Sequence, residues 1–209
     1  MLADKTLKGF LEELASASPA PGGGSVAALC GSLASALCSM VCRLTIDKKK
    51  YESVSDEFKT ILEKTEFYRN EFTRLIDEDT NAFNLVMEAY KLPKTTDDEK
   101  EKREKAVEAA LKKAADIPME VLKYASEMIE FSITAANKGN VNSLSDSGVA
   151  ALLLQSAGVA ALYNIIINLK LIKDDEYVEA KQNEINLYTH KIESFSSVIK
   201  EIAQKSFTA

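Results

Sequence analysis

Two aspartates and a run of glycines are the groups in this chain whose type and placement could do chemistry. Asp79 falls, by three-and-four spacing, in the apolar stripe that runs from Phe72, Leu75 and Ile76 to Ala82, Phe83 and Val86. A carboxylate on a core-facing stripe is costly unless something pairs with it, which makes Asp79 a candidate acid, base or cation-stabilising group. A structural bond to a helix end or to a basic side chain is the competing account. Asp77 and Glu78 fall off the stripe and are expected in solvent. The second feature is Pro19-Ala20-Pro21-Gly22-Gly23-Gly24-Ser25. Gly22, Gly23 and Gly24 strip bulk from a loop ahead of a helix, and Ser25 is expected to cap that helix. Such a loop can bring backbone N–H groups against a ligand. The third is Asp146. With Ser145 it reads first as a helix N-cap; with Asn140 and Asn142 it also forms a polar cluster able to meet a ligand.

Other chemistries are poorly served. Cys30, Cys38 and Cys42 share one segment, and His190 is the only histidine. They form neither a zinc-like ligand set nor a convincing Cys–His pair, so no metal site is expected. No Walker lysine follows the glycines and no G-x-G-x-x-G is present. A net charge of −6 leaves no cationic excess for a nucleic-acid partner. Lys48, Lys49, Lys50, Lys94, Lys102 and Arg103 could still pair with an acidic substrate tail. Arg103 stands between Glu101 and Glu104, and ion pairs along its own helix are its default role. Asn164 and Asn168 lie one turn apart in an otherwise apolar helix and need partners, which neighbouring helices ordinarily supply.

The elements that must position these groups are all helical, with no period-two segment. Helices are expected over about 4–17, 25–46, 53 or 55 to Pro93, 97–115, 118–137, 145–172 and 174–205. The fold class is an all-α, multihelical array, taken as one domain over 1–209. The helix before Pro93 would reach roughly 55 Å, longer than a compact domain of this size. It must bend, break or project. A projecting helical arm wants a partner surface, so a homodimer is expected. Helix 25–46 is small-sided and must pack closely on other backbones. The tetrapeptide Val-Ala-Ala-Leu recurs at 26–29, 149–152 and 159–162; with such common residues, coincidence or a shared packing need accounts for it ahead of an ancient repeat, and two equivalent helices packed face to face are the other reading. Stretches 25–46 and 148–172 are long enough to raise a membrane span. Arg43 in the first, and Gln155, Asn164, Asn168 and Lys170 in the second, favour buried core helices without a membrane. The cysteines imply no disulfide framework and Met1–Lys5 has no signal-peptide layout, so a cytoplasmic location is expected.

The motifs converge on a family. Ser18 to Leu29, Asp79-Thr80-Asn81-Ala82-Phe83, Leu92-Pro93-Lys94, and Gly139-Asn140 with Ser145 to Ala150 occur in order along the chain. This pattern resembles the formiminotetrahydrofolate cyclodeaminase/methenyltetrahydrofolate cyclohydrolase family over essentially its whole length. The resemblance implies a helical domain that associates through helices and acts on one-carbon tetrahydrofolate, with no further cofactor. These 209 residues hold no formiminotransferase-like segment, so the stand-alone form is expected. The resemblance further implies catalytic roles for Asp79 and Asp146, and substrate contacts from Gly22, Gly23, Gly24, Ser25, Asn140, Ser145 and Lys94. Lysines near 48–50 or 94 would receive the glutamates of a polyglutamylated substrate. The rival reading is a non-catalytic helical folate-binding or interaction module, in which the glycines only permit packing and Asp79 makes only a structural bond.

Overall fold

The computed structural model describes residues 1–205, and seven α-helices dominate them. They are α1 (Leu7–Leu14), α2 (Gly23–Thr45), α3 (Ser55–Lys91), α4 (Asp97–Lys138), α5 (Leu144–Leu169), α6 (Asp175–Ser194) and α7 (Ser196–Lys205). No strand occurs among the described residues. The core is built where α2 and α5 pack on each other and on the long pair α3 and α4, with α6 and α7 closing its far side. Close approach of α2 and α5 follows from their alanines. Ala27, Ala28, Ala150, Ala151, Ala157 and Ala161 are all fully buried. The repeated Val-Ala-Ala-Leu segments therefore lie on helices that do pack together. Gly31 serves the same end, since a Cβ there would stand 2.4 Å from the Phe72 ring.

Helix α3 stays unbroken for 37 residues, and α4 for 42. At the usual rise, α3 is about 55 Å long and α2 only about 35 Å. The Asp79 carboxylate is level with Gly24 at the start of α2. The twelve residues of α3 beyond Asp79 thus carry it about 18 Å past the end of α2. The expected arm is present, and its first partner is α4, which returns along it after a Thr96–Glu99 capping box. Arg103 ties the tip together. Its guanidinium donates to the Tyr90 carbonyl at 3.3 Å and lies over the Tyr90 ring, so the expected pairing with Glu101 and Glu104 gives way to a bond across the hairpin.

Three expected helix ends are displaced. Helix α1 starts at Leu7 behind the cap Thr6, and of its apolar face only Phe10 is buried. The segments 97–115 and 118–137 are one helix, because Pro118 sits inside α4 instead of opening a new one. A proline lacks the N–H that would reach back four residues, here to the Ala114 carbonyl. The Asn168 side-chain amide supplies the missing donor, 2.9 Å from that oxygen. The segment 174–205 is two helices, α6 and α7, meeting at Phe195. Asp77, expected in solvent, accepts from the Leu2 N–H at 2.5 Å and holds the N-terminus on α3.

Asn168→Ala is expected to destabilise the fold by about 1–3 kcal/mol, because it leaves the Ala114 carbonyl without a donor. In a Pro118→Ala background, where the helix N–H is restored, the same change should cost clearly less. Urea unfolding of the four chains of this double-mutant cycle reads the coupling.

Candidate active site

A cleft of about 370 Å³ opens at the base of the arm. Its walls come from four elements: the glycine loop at the start of α2, Asp79 to Tyr90 on α3, Leu111 and Ala114 on α4, and Asn164 to Leu171 at the end of α5. Most of the lining is apolar, from Phe83, Val86, Met87, Leu111 and Ile167. The polar groups are few and gathered at one end: Asp79, Asn164, Asn168 and the backbone of Gly22–Gly24.

Asp79 is the centre of this end. Its carboxylate rests against the first turn of α2, where helix N–H groups have no partners of their own. Ser25 is fully buried, and its hydroxyl lies 2.9 Å from Asp79 Oδ2 and 3.0 Å from the Ile76 carbonyl. The Ser25 backbone N–H also serves the carboxylate. Ser25 is thus not the N-cap, which is Gly22. It sits inside the helix and works on Asp79. The helix N-terminus expected to meet a ligand carboxylate is already occupied by a carboxylate of the chain itself.

Burial pushes the Asp79 carboxyl upward from its ordinary value, and the Ser25 hydroxyl and N–H pull it part of the way back. One hydroxyl hydrogen cannot serve Asp79 and Ile76 at once. With Asp79 ionised, Ser25 donates to it. With Asp79 protonated, the hydroxyl can turn to the Ile76 carbonyl and accept from the acid. Asp79 therefore keeps a partner in both protonation states, which suits a group that receives and returns a proton.

The three glycines have unequal roles. A Cβ on Gly24 would stand 1.9 Å from Asp79 Oδ1, so only glycine admits the carboxylate. A Cβ on Gly23 would press on the Asn164 amide at 3.3 Å, while one on Gly22 would meet nothing closer than 3.8 Å. The run admits side chains of this protein into the cleft first. Asn164 donates to the Ala160 carbonyl one turn back, and Asn168 to Ala114 and Asn164. Both line the cleft. Their polarity in an apolar helix was the visible signal. Phe83, also in the lining, gave no signal beyond the stripe, and Tyr90 gave none.

The remaining candidates do not join this cleft within one chain. Asn140 binds at the opposite end of α2, its N–H donating to Thr45 Oγ1 and its amide to the Leu44 carbonyl. Asp146 lies in the first turn of α5, eighteen residues or about 27 Å along the helix from Asn164. Helix α5 is capped at Ser143, so neither Ser145 nor Asp146 is the expected cap. No hydrogen bond or ion pair within the described residues holds Asp146. Lys48 and Lys49 line a separate, open groove with Asp47, Glu52 and Asp56. Lys94 is exposed in the α3–α4 turn, beyond Tyr90. Cys38 and Cys42 are buried, and burial raises both thiols, Cys42 to about 12. Neither is a thiolate near neutral pH.

The fold and cleft define an all-helical protein with one partly buried carboxylate in a largely apolar cleft at the base of a helical arm. Residues 6–187 match Formiminotransferase-cyclodeaminase, and the chain belongs to that family. It is 42% identical over 185 residues to the methenyltetrahydrofolate cyclohydrolase of Methylorubrum extorquens, covering 88% of this chain and 89% of that one. It is 34% identical to the formimidoyltransferase-cyclodeaminase of Mus musculus, again over 88% of this chain but only 34% of that protein's length. The crystal structure of formiminotetrahydrofolate cyclodeaminase from Thermotoga maritima superposes with a TM-score of 0.88 at 32% identity, covering 98% of each chain.

Gly24→Ala should displace the Asp79 side chain from the α2 N-terminus while leaving the helices in place. A crystal structure of that variant and an NMR titration of Asp79 check this. The expected results are a rotated Asp79 and a changed carboxyl titration, whereas Gly22→Ala should leave both as they are.

Proposed function

We propose that this chain catalyses addition and elimination at the one-carbon unit between N5 and N10 of tetrahydrofolate. The observation that carries the reading is Asp79 and its two-way partner Ser25 at the polar end of an otherwise apolar cleft. The substrate is flat, and its reacting carbon passes from a planar cation through a tetrahedral adduct. A partly buried carboxylate stabilises that cation and moves protons around the adduct.

One proton path serves two reactions. In the cyclohydrolase direction, water adds to the methenyl carbon and Asp79 takes its proton. Asp79 returns that proton to N5 as the carbon–N5 bond breaks. The adduct's hydroxyl proton leaves to solvent as the carbonyl forms, giving 10-formyltetrahydrofolate. In the cyclodeaminase direction, N10 adds to the carbon of a protonated formimino group and Asp79 takes the N10 proton. It hands that proton to the amino group, which departs as ammonia and leaves 5,10-methenyltetrahydrofolate. Neither path calls for a cofactor beyond the folate. The 42% likeness to a cyclohydrolase of matching length favours the first as the main activity. The close structural match to a cyclodeaminase favours testing the second.

Further parts of the reading rest on placement. The pterin enters among Phe83, Leu111 and Ile167, with the Asn164 and Asn168 amides at its edge. The glutamate tail, of one or several residues, runs past Tyr90 toward Lys94. The working unit is a homodimer. Three free cysteines suit a reducing, cytoplasmic setting.

Asp79→Asn should lower turnover of the preferred folate by about 100-fold or more, followed by methenyl absorbance and ammonia release. Full activity in the folded variant sinks the assignment. The same change should raise the melting temperature at pH 7. A carboxyl whose pKa is raised by folding contributes stability that is full below its unfolded pKa and is lost as pH rises through the folded one. Ionised Asp79 is therefore a net cost near neutrality. The variant's advantage should shrink as pH falls into the carboxylate range. Ser25→Ala removes a donor to the anion, so the acid limb of the pH–rate profile should move to higher pH.

A further inference from the structure

Helices α2 and α3 run antiparallel, and the contacts between them recur every two turns. Gly24 and Gly31 are seven residues apart on α2, and Asp79 and Phe72 are seven apart on α3. A Cβ at position 24 would stand 1.9 Å from Asp79 Oδ1, and one at position 31 would stand 2.4 Å from the Phe72 ring. Asp79 and Phe72 are therefore equivalent knobs that enter equivalent notches one heptad apart. Phe72 is fully buried, and its ring plugs the lower notch. The upper notch holds a carboxylate at a position that the same seam fills with an aromatic ring one step below.

A row of hydroxyls runs beside the notches. Ser25, Ser32 and Ser39 keep the seven-residue spacing on α2. Thr80, Thr73 and Thr65 face them on α3, at 3.4, 2.8 and 2.8 Å between hydroxyl oxygens. Thr73 donates to the Arg69 carbonyl at 2.7 Å, and Thr65 to the Leu62 carbonyl at 3.0 Å. Each threonine thus spends its one hydrogen within its own helix, so Ser32 and Ser39 must donate across to α3. The top rung is the long one. There Ser25 is drawn to Asp79 and to the Ile76 carbonyl instead. The hydroxyl that serves Asp79 is the one that the ladder leaves uncommitted.

A slide of α3 along α2 by about 1 Å would break bonds of this length and drive the Phe72 ring out of its notch. The same slide would carry the Asp79 carboxylate off Ser25. Thr73 is six residues from Asp79, about 9 Å along the helix, and Phe72 about 10.5 Å. Ser32, Gly31, Phe72 and Thr73 all lie outside the cleft lining. They act on Asp79 through the helix that carries it.

We propose that Phe72 in the Gly31 notch and the Ser32–Thr73 bond are positioning elements for Asp79. They set the height of α3 against α2 and so hold the carboxylate level with Gly24 and Ser25. The placement stands on the helix seam alone, and its effect on turnover rests on the folate reading above.

Ser32→Ala is the mildest test, because Thr73 keeps its bond to the Arg69 carbonyl and no polar group is stranded. In this variant the Asp79 carboxyl, followed by NMR, should titrate at higher pH than in the wild type, as its Ser25 donors fall out of line. On the preferred folate kcat should fall about tenfold with KM little changed. Phe72→Leu, which half-empties the notch, should move both in the same direction. Thr73→Ser keeps the hydroxyl and should leave both as in the wild type. Thr65→Val, at the far rung and about 21 Å from Asp79, should lower stability in urea yet leave the Asp79 titration in place. An unmoved Asp79 in Ser32→Ala or Phe72→Leu, or an equal shift in Thr65→Val, overturns the proposal, since the seam then only holds the fold. The titration is read on the free protein, so it decides the positioning whether or not either folate turns over. A moved titration with unchanged turnover upholds the positioning and removes Asp79 from the folate reading instead.

Discussion

The contact between the Asp79 carboxylate and the first turn of α2 is the constraint around which the rest of the structure is arranged. It joins α3 to α2 at the level where the bundle ends and the arm begins. It needs glycine at position 24, because any Cβ there would occupy the space of the carboxylate oxygens. It needs Ser25 buried inside the helix, where a hydroxyl and an N–H reach the same acid. It also takes up the positive end of α2, which would otherwise attract an anion from solution. The acid is held, but short of full compensation, since burial still outweighs its donors. A group kept in that state is ready to exchange a proton, at some expense to the fold.

The second constraint is the long hairpin of α3 and α4. Helices longer than the bundle give the cleft a wall that the compact core could not supply. Keeping α4 continuous through Pro118 requires a donor from elsewhere, and Asn168 provides it. The same residue lines the cleft, so repair of the helix and construction of the site are one event. Arg103 does a similar service at the tip, where it fixes the Tyr90 carbonyl. Asn168 thus holds backbone in place and borders the cleft at once, while Arg103 fixes the backbone of a residue that lines it.

The α2–α5 layer has two apolar faces. The inner one is closed by alanines and small residues that bring backbones together, while the outer one carries the larger Leu152, Val159 and Tyr163. A helix that is apolar all round is ordinarily buried on all sides.

Periodicity and residue size were enough to give an all-helical chain, an arm before Pro93, a small-sided α2 and an acid out of place at Asp79. These are local properties: a stripe, a breaker or a misplaced charge is visible within a few turns of its own helix. The family pattern is likewise carried by short segments in order. What Asp79 bonds to was not legible, because its partner Ser25 is 54 residues away and looked like a cap. The continuity of α4 was hidden too, since Pro118 is a breaker until Asn168, fifty residues on, replaces its missing hydrogen bond. The separation of Asp146 from Asp79 could be decided only by the packing direction of α2 and α5. Sequence spacing determines which face of a helix a residue occupies. Which end of which neighbour that face meets is set by long-range packing, and tertiary structure alone decides it.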